Sequence, residues 1–341
     1  MGKPTEIYAP QQVGELALQE VRSCIEWAGR GVKLGLPTVD KVLKPLRPGN
    51  LCVIQAYTSN YKTGFMMAWA RRMGEQIVQN GGEKDIVVYL SWEDTVEDVG
   101  LFDLAHDTGI DASDIQEGRL SPEAIEKLEV AAFRRGAMPV WFVGNSLANR
   151  ATQSRLTMTQ VETLLAWIED QMGFRPVAIF LDYLNKIQPE GRQVWGDGRR
   201  LDIMELAYRA SELAFKRGCP VITGAQSNRV SNDRTWKLPQ AWDCMESSAI
   251  EQYAQVLLSL WMPGRTEAHE RPLKGPDGKD TDVNVSDNLL VMGITKQKRG
   301  PAGGWWPLYV DAARNFIGPM DTRQDEPEPD AAWWGEREEG F

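Results

Sequence analysis

The residues with the clearest capacity for chemistry are Lys62 and Thr63, which open a helix-forming run. They follow an apolar stretch at residues 51–55, which predicts a short buried strand, and then a polar turn. A strand, a polar loop, Lys-Thr and a helix together are typical of a phosphate-binding P-loop. In such a loop the backbone N–H groups hold phosphates, the lysine reaches the β- and γ-phosphates, and the hydroxyl binds Mg²⁺.

The loop departs from the usual G-x-x-x-x-G-K-[ST] pattern, because residues 56–63 read A-Y-T-S-N-Y-K-T. Ala56 replaces the first glycine and Tyr61 the second. The second change matters more, since glycine lets the backbone approach phosphate closely and takes a positive φ without strain. We expect Tyr61 to be tolerated if its ring points away and its backbone stays in an ordinary region. The residues predicted to bind nucleotide are Thr58, Ser59, Asn60, Tyr61, Lys62 and Thr63.

Two further apolar stretches lead into carboxylates. Residues 86–90 run into Glu93, and residues 177–181 end at Asp182. The carboxyl ends of parallel strands meet at one edge of a sheet, where nucleotides bind. Glu93 is thus placed to orient or deprotonate an attacking water. The alternative is that Glu93 and Asp94 simply begin the next helix, whose N-terminus favours acids. Asp182 fits the Walker B pattern of an Mg²⁺-binding acid.

Polar residues also follow the next predicted strand. Gln226 is a candidate sensor of the γ-phosphate, with an ordinary loop amide as the alternative. The loops at residues 190–200 and 227–243 carry bases, and the second interleaves them with Trp236 and Trp242. This composition suits single-stranded nucleic acid, and the alternative is a solvated loop with two half-buried indoles. The candidate DNA-binding bases are Arg192, Arg199, Arg200, Arg229 and Arg234.

Composition limits the class of protein. The four cysteines have no C-x-x-C spacing and the two histidines are isolated, so we expect neither a zinc site nor a disulfide framework. A reducing, cytoplasmic location follows from that cysteine usage. No apolar run long enough to span a bilayer and no signal peptide is recognisable, which predicts a soluble protein without a membrane partner.

The charge is unevenly distributed. The chain carries a net charge of −10, and residues 321–341 hold eight acids and two bases, which contributes −6 and leaves −4 for the rest. This balance does not match an independent DNA-binding module. If DNA binds, the positive field must be local, for example inside the channel of a ring.

The elements that position these residues alternate between strand and helix patterns. This predicts an α/β fold with a mostly parallel, twisted sheet flanked by helices. Predicted strands at residues 288–297 and 306–311 form a C-terminal β-hairpin, and residues 264–287 form a polar loop. Residues 159–172 predict an amphipathic helix. A helix at residues 11–28 also has its apolar residues on one face. It either packs on the core of its own chain or is a linker helix docked on a neighbouring subunit.

Taken in order, the motifs resemble the RecA-like ATPase domain of DnaB-type replicative helicases, over residues 35–318. The matching segments are GLPTVDKVL and LRPGNLCVI before the P-loop, SWED at 91–94, IFLDY at 179–183, GAQSNR at 224–229, ESSAIEQYAQVLLSL at 246–260 and ITKQKRGPAG at 294–303. Six motifs in the family's order indicate the same fold and common ancestry.

The resemblance implies a role for each matching position. Lys62 would contact phosphates, while Thr63 and Asp182 would ligate Mg²⁺, so the expected cofactors are ATP and Mg²⁺. Glu93 would be the catalytic base, and Gln226 would couple the γ-phosphate to the DNA loops. Further catalytic residues implied by the family, on a hairpin that reaches a neighbour's site, are Lys296, Lys298 and Arg299. The resemblance also adds Glu246 and Ser248 to the DNA-binding residues.

Some positions depart from the family. Lys298 stands where the family has an arginine finger, and a lysine supplies charge without a bidentate fork. Hydrolysis is therefore expected to be slower, or Arg299 takes over. Met245 replaces a family arginine, and Ser248 replaces a glycine near the DNA path. The matching motifs include no N-terminal helical domain like that of typical bacterial members, so we expect a phage or mobile-element helicase, or an accessory ATPase, rather than the main bacterial enzyme.

These observations predict three segments. Residues 1–34 form an N-terminal segment with the linker helix, 35–320 form the ATPase domain, and 321–341 form an acidic tail expected to be disordered and to recruit a protein partner. The expected function is an ATP-driven helicase on single-stranded DNA, assembled as a homo-oligomeric ring and most naturally a hexamer. The alternative is a nucleotide-binding scaffold or accessory ATPase with weak or no hydrolysis, which Ala56, Tyr61 and Lys298 favour.

Overall fold

The computed structural model describes residues 7–28, 32–148, 156–188, 198–227, 234–244 and 248–320. Within them, nine strands form one sheet and two more form a small separate hairpin. The strands are β1 (Leu51–Ala56), β2 (Asp85–Ser91), β3 (Val140–Val143), β4 (Arg175–Asp182), β5 (Val221–Gln226), β6 (Val256–Trp261), β7 (Pro272–Lys274), β8 (Asp280–Asn284), β9 (Leu289–Gln297), β10 (Trp305–Asp311) and β11 (Phe316–Pro319). The α-helices are α1 (Pro10–Ala28), α2 (Pro37–Asp40), α3 (Lys62–Gln79), α4 (Val96–Thr108), α5 (Ala112–Gln116), α6 (Pro122–Arg135), α7 (Met158–Trp167), α8 (Gly198–Arg217) and α9 (Ser248–Tyr253).

The predicted architecture is confirmed. The strand order is β11-β10-β9-β6-β1-β5-β4-β2-β3, and the six strands from β6 to β3 run parallel. The central strand β1 is buried at every residue, as its mainly apolar sequence predicts for a strand covered on both faces. Parallel strands of this kind place all their carboxyl ends at one edge, which we call the carboxyl edge of the sheet.

Helices cover both faces of the sheet, and alternate residues of β1 enter two different cores. Cys52 and Ile54 pack with α3 residues such as Trp69 in one core. Leu51 and Val53 pack with residues of α7 and α8 in the other. This period of two along a strand beneath helical layers is what buries a parallel sheet completely. It fixes the register that brings the ends of β1, β2, β4 and β5 together.

The last three strands run antiparallel to their neighbours and extend the sheet. β9 pairs with β6 so that Gln297 lies opposite Val256, the first residue of β6. The turn from β9 to β10 therefore lies at the edge opposite the carboxyl edge, which we call the amino edge. β10 then returns, and the turn from β10 to β11 lies back at the carboxyl edge. The predicted C-terminal hairpin is present, and β11 extends it by a strand that the sequence pattern did not reveal.

Two other predictions need correction. The loop at residues 264–287 contains the hairpin β7–β8, whose Leu273 and Val283 pack beneath Trp261. These strands are short, and most of their residues are polar and exposed, so their alternation is too weak to read from sequence. The helix predicted at residues 159–172 changes after Trp167 into a π-helical turn, Ile168–Met172.

Helix α1 has the predicted amphipathic pattern but does not bury its apolar face on the described part of its own chain. Val21 is 53% exposed and Ile25 is 70% exposed. Its recorded contacts with the domain are polar, between Glu20 and Arg47 at 3.5 Å and between Arg47 Nη1 and Cys24 Sγ at 2.9 Å. Packing on the chain's own core is therefore the wrong interpretation for the described structure. Among the described helices, none combines the length and apolarity that crossing a bilayer requires.

Candidate functional site

The P-loop lysine and the Walker B acid meet at the carboxyl edge. Lys62 Nζ lies 3.3 Å from Asp182 Oδ1, and Asp182 is fully buried at the end of β4. Tyr89 on β2 donates a 2.8 Å hydrogen bond to the other carboxylate oxygen, Oδ2. Lys62 Nζ also lies 4.2 Å from the centre of the Tyr183 ring. The lysine is thus held by two consecutive residues at the end of β4, and an incoming phosphate would compete with Asp182 for it.

Tyr61 occupies the position of the second P-loop glycine and keeps a glycine-like backbone. Its φ of 60° and ψ of 27° lie in the left-handed region, so the condition of an ordinary backbone is not met. Left-handed geometry costs a residue with a side chain roughly 1–3 kcal/mol. The side chain turns back over the first turn of α3, and its hydroxyl donates a 2.8 Å hydrogen bond to Asn315 Oδ1. Burial raises the pKa of Tyr61 above its ordinary value.

The rest of the loop is fixed by its own side chains. Asn60 is buried and accepts a 2.7 Å hydrogen bond from the Met262 amide, which ties the loop to the end of β6. Ser59 also has a positive φ of 61°. Gln226, at the end of β5, donates a 2.6 Å hydrogen bond from Nε2 to Thr58 Oγ1. A movement of the loop would therefore be transmitted directly to the segment after β5.

The two acids after β2 face the same space. Glu93 is exposed, whereas Asp94 is half-buried and hydrogen-bonds through its backbone to Ser91 Oγ. Burial, and then the nearby carboxylates of Asp182 and Glu93, raise the pKa of Asp94 to about 6. Glu93 is the more accessible of the two to a water or phosphate. Sequence reasoning did not include Asp94 among the site residues, although its position directly after Glu93 could have suggested it.

The P-loop residues, Glu93, Asp94 and Gln226 line one cavity of about 470 Å³, a size typical of small-molecule sites. One end is polar and formed by the P-loop with Lys62, Thr63 and Glu93. The lining residues from α3, α4 and the β10–β11 turn are mostly apolar, and we call them the apolar end of the cavity: Met67, Phe102, Ala312 and Asn315. Sequence reasoning missed this second end, since its residues come from α3, α4 and the β10–β11 turn and carry no local motif.

The donor set fits a nucleotide with Mg²⁺. Magnesium prefers oxygen ligands and usually takes only one or two from the protein, with phosphates and waters completing the shell. The Thr63 hydroxyl and the acids at the ends of β2 and β4 supply oxygens at the polar end. Asp182, however, is already engaged by Lys62 and Tyr89, so its contribution to an ion depends on release of the lysine.

The hairpin residues lie elsewhere. Lys296, Lys298 and Arg299 are at or near the β9–β10 turn on the amino edge, and they do not line the cavity. The Lys296 ammonium donates to the Glu251 backbone carbonyl, and burial lowers its pKa from the ordinary lysine value. Lys298 and Arg299 are exposed, and Arg299 Nη1 lies 3.9 Å from Glu20 Oε1 on α1. The chain's own fold keeps these cations away from its own P-loop.

The predicted DNA-binding residues are only partly covered by the structure. Arg192, Arg229 and Glu246 lie outside the described residues, while Arg199 and Arg200 fall in the first turn of α8 and Ser248 begins α9. Arg234 is described, and its guanidinium forms an ion pair with both carboxylate oxygens of Asp243. Trp236 packs against Trp261 and Trp305, with ring centres 5.4 and 5.2 Å apart. Trp242 is 70% exposed, so only one of the two indoles is available at the surface.

A family model for the "DnaB-like helicase C terminal domain" matches residues 31–316. Among curated proteins, the replicative DNA helicase DnaB of Geobacillus stearothermophilus is 24% identical over 296 residues, covering 87% of this chain and 58% of that protein. DnaB of Pasteurella multocida is 26% identical over 274 residues, covering 80% of this chain and 52% of that protein. The chain thus spans a little over half the length of these relatives.

Solved structures share the fold. One solved ATPase domain superposes with a TM-score of 0.70 at 19% identity, covering 90% of this chain and 98% of that domain. A DnaB-like replicative helicase, solved in a study of its interactions with primase, also gives a TM-score of 0.70 at 20% identity. That match covers 93% of this chain and 68% of the helicase chain. The domain outlined by the sheet and its helices is therefore an arrangement already seen in solved structures.

Proposed function

Because the chain belongs to the DnaB-like helicase C-terminal domain family, we propose that it is an ATP-dependent motor that moves on single-stranded DNA as a ring. The observation that carries the proposal is the convergence at one cavity of Lys62, Thr63, Glu93 and Gln226, with Asp182 directly behind Lys62. These residues come from the ends of four different strands or the loops after them. A fold used only as a scaffold has no chemical need for all five.

The proposed hydrolysis assigns one task to each residue. The Lys62 ammonium leaves Asp182 and neutralises the β- and γ-phosphates, while backbone N–H groups at the start of α3 hold the remaining phosphate oxygens. Thr63 and Asp182 would help to hold a Mg²⁺ ion, which would supply positive charge to the transferred phosphoryl group. Glu93 orients a water for attack and accepts its proton. Its exposure at the polar end leaves room for that water.

Gln226 is the proposed link between the nucleotide and DNA. Its side chain holds Thr58 of the P-loop, and the chain that follows it leads into the segment containing Trp242. A change at the γ-phosphate would be felt at this amide and passed to the loop after β5. The candidate contacts with DNA are local positive charge and the exposed Trp242 indole, which suits base stacking. The bases proposed to bind the DNA backbone are Arg192, Arg199, Arg200, Arg229 and Arg234, with Glu246 and Ser248 nearby in the chain.

Assembly into a ring, proposed to be a hexamer, follows from the groups at the amino edge. Lys298 and Arg299 are exposed cations at the amino edge, whereas their own P-loop lies at the carboxyl edge. We propose that they complete the site of the next subunit. Helix α1 carries an apolar face that its own described domain leaves exposed, which suits docking on a neighbouring subunit. The acidic segment 321–341, outside the described residues, is proposed to recruit a protein partner.

The fine classification is also part of the proposal. We place the motor among phage or mobile-element helicases acting in the cytoplasm, since positions such as Met245 and Ser248 depart from the family pattern. The second candidate function is a nucleotide-binding scaffold or accessory ATPase with weak hydrolysis. The departures at Ala56, Tyr61 and Lys298 favour it, and so does the engaged Asp182, whose contact with Lys62 would have to break when a nucleotide binds.

One experiment separates these functions. ATP turnover is measured with and without single-stranded DNA for the full chain and for Lys62→Ala. A motor is expected to hydrolyse ATP, to be stimulated by DNA and to lose both properties in the variant. Lys62-dependent binding of ATP without turnover under any condition would leave the scaffold as the function. No nucleotide binding at millimolar ATP would reject both.

A further inference from the structure

Tyr61 lines the cavity and connects its polar and apolar ends, because it directly precedes Lys62 and donates a hydrogen bond to Asn315. Its ring lies against Gly64, so close that a Cβ built on Gly64 would be 2.6 Å from Tyr61 Cζ. A side chain at position 64 would therefore clash with the Tyr61 ring, and this close approach is the reason for glycine there. The backbone conformation of Gly64 does not itself require glycine. Both Tyr61 and Gly64 line the cavity, as does Met67 one turn further along α3. The ring thus continues the surface that runs from the P-loop to the apolar end.

Asn315 is the residue that holds this ring in place. It lies on the β10–β11 turn, is 2% exposed, and accepts the Tyr61 hydroxyl on Oδ1. Its backbone carbonyl accepts a 3.1 Å hydrogen bond from Arg71 Nη2, which fixes the turn against α3. Within the described residues, the Asn315 Nδ2 donor has no hydrogen-bond acceptor. A buried amide without a partner is costly, and here it belongs to a residue that lines the cavity.

We propose that Tyr61 and Asn315 together hold the nucleoside part of the nucleotide. The ring of Tyr61 packs against the sugar or the base, and Asn315 Nδ2 donates a hydrogen bond to an acceptor on the base edge. The proposal rests on the nucleotide-binding function proposed above and adds the residues that recognise the nucleoside. In this proposal, the contact between the Tyr61 ring and the nucleoside offsets the cost of placing a tyrosine where the P-loop usually has glycine.

The layout of the cavity supports this assignment. A nucleoside triphosphate has a highly charged end and a flat, mainly apolar end, and the cavity has one end of each kind. Phosphates belong beside Lys62 and the start of α3, so the base must extend toward Met67, Phe102 and Asn315. Tyr61 lies between these ends. An aromatic ring and an amide donor are the groups that typically hold a base by stacking and edge hydrogen bonding.

The test compares a nucleotide with its phosphate part alone. Calorimetric titrations of the full chain with Mg-ATP and with Mg-tripolyphosphate are repeated for Tyr61→Gly and Tyr61→Phe. Tyr61→Gly is expected to weaken ATP binding about tenfold, in line with the loss of one base–aromatic contact. Its tripolyphosphate affinity should stay within about twofold or improve, since glycine restores the ordinary loop. Tyr61→Phe keeps the ring and should change ATP affinity by about threefold or less.

Asn315→Ala provides a second variant that leaves the P-loop sequence intact, and it decides the matter if Tyr61→Gly lowers the melting temperature sharply. It is expected to weaken ATP binding about fivefold and to leave tripolyphosphate binding unchanged. The proposal is overturned if either variant leaves ATP affinity unaltered, or if ATP and tripolyphosphate lose affinity equally. In those cases Lys62→Ala still reports on the proposed function, because it should abolish binding of both ligands. Failure of the unmodified chain to bind ATP overturns both proposals together.

Discussion

The two edges of the sheet differ in how far one chain completes them. At the carboxyl edge, Lys62, Asp182 and Tyr89 come from three different elements and contact one another directly. At the amino edge, Lys298 and Arg299 are exposed, and the neighbouring helix α1 presents an exposed apolar face. The first edge has the interactions of a site that folds with its own chain. The exposed groups at the second edge are suited to contacts with another chain. The two edges should therefore respond differently to mutation and to protein concentration.

The largest effect is expected from the edge that one chain completes. Glu93→Gln should lower ATP turnover by about 10²–10⁴-fold, because it removes a general base. ATP affinity should stay within about twofold, since Glu93 is not proposed to contact phosphate. Single-turnover kinetics and calorimetry measure the two quantities. Glu83→Gln, an exposed acid before β2, is the matched control. Turnover equal to that of the unmodified chain would remove Glu93 from the mechanism.

The next effect tests whether the amino edge acts on another subunit. Lys298→Ala should lower turnover at least tenfold, though by less than the roughly 10³–10⁵-fold attributed to arginine fingers. Mixing Lys298→Ala subunits with Lys62→Ala subunits should restore part of the activity, because mixed interfaces pair an intact P-loop with an intact lysine. Turnover of the unmodified chain should also depend on protein concentration.

The control for this mixture is Lys84→Ala, which removes an exposed lysine away from the turn. Mass spectrometry of the assemblies establishes that mixed rings have formed. Mixed rings without any recovered turnover, at every ratio of subunits, would mean that Lys298 does not act in trans.

Sequence patterns predicted the carboxyl edge better than the amino edge, and the reason is physical. β1, β2 and β4 are buried on both faces, so their apolar runs identify them, and polar residues at their ends must converge. The Lys62–Asp182 contact follows from this geometry. Helices α1 and α3 have similar lengths and amphipathic patterns, yet one is exposed and the other lies in the core. The spacing of apolar residues predicts that one face of a helix will be buried. It does not identify the surface against which that face packs.

The apolar end of the cavity was also beyond sequence reasoning. Asn315 lies 254 positions after Tyr61, and their contact depends on β10 and β11 being added to the far side of the sheet. The left-handed φ of Tyr61 is likewise set by the loop and not by the residue's own preference. Tertiary constraint overrides local preference at the position where the sequence departs from the P-loop pattern.

A smaller effect should follow from charging the α1 face. Val21→Glu with Ile25→Glu should weaken association between subunits by about tenfold, because a loss of about 1.4 kcal/mol changes an equilibrium constant tenfold and is less than half of what full burial of two apolar side chains gives. The melting temperature of the dissociated chain should change little, since both residues are exposed there. Sedimentation at several concentrations measures the association. Phe133→Glu, at a site that is 88% exposed on α6, is the control expected to leave association unchanged. Unchanged association of the α1 variant would mean that the helix does not dock on another copy.

The smallest predicted effect concerns pH and belongs to the carboxyl edge. Asp94 has a pKa raised to about 6, by burial and then by Asp182 and Glu93, so it is mainly ionised above that pH and mainly protonated below it. An ionised Asp94 repels phosphates, and Lys62 offsets this only in part. Affinity for ATP without Mg²⁺ should therefore increase when the pH is lowered from about 7.5 to about 5.5. This increase should be about threefold larger in the unmodified chain than in Asp94→Asn.

Comparing the two proteins at each pH cancels the titration of ATP itself and that of Asp107, whose pKa is also raised to about 6 by burial. Protonation of Asp94 should also affect folding, and in the same direction as it affects ATP binding. Its folded-state pKa lies above the ordinary value of 3.8, so the folded chain takes up the proton first and gains stability as the pH falls through about 6. Asp94→Asn should flatten both profiles, with thermal melting as the second readout. Parallel affinity profiles for the two proteins would mean that Asp94 does not face the phosphates, and the polar end of the cavity would then be defined by Glu93 and Lys62 alone.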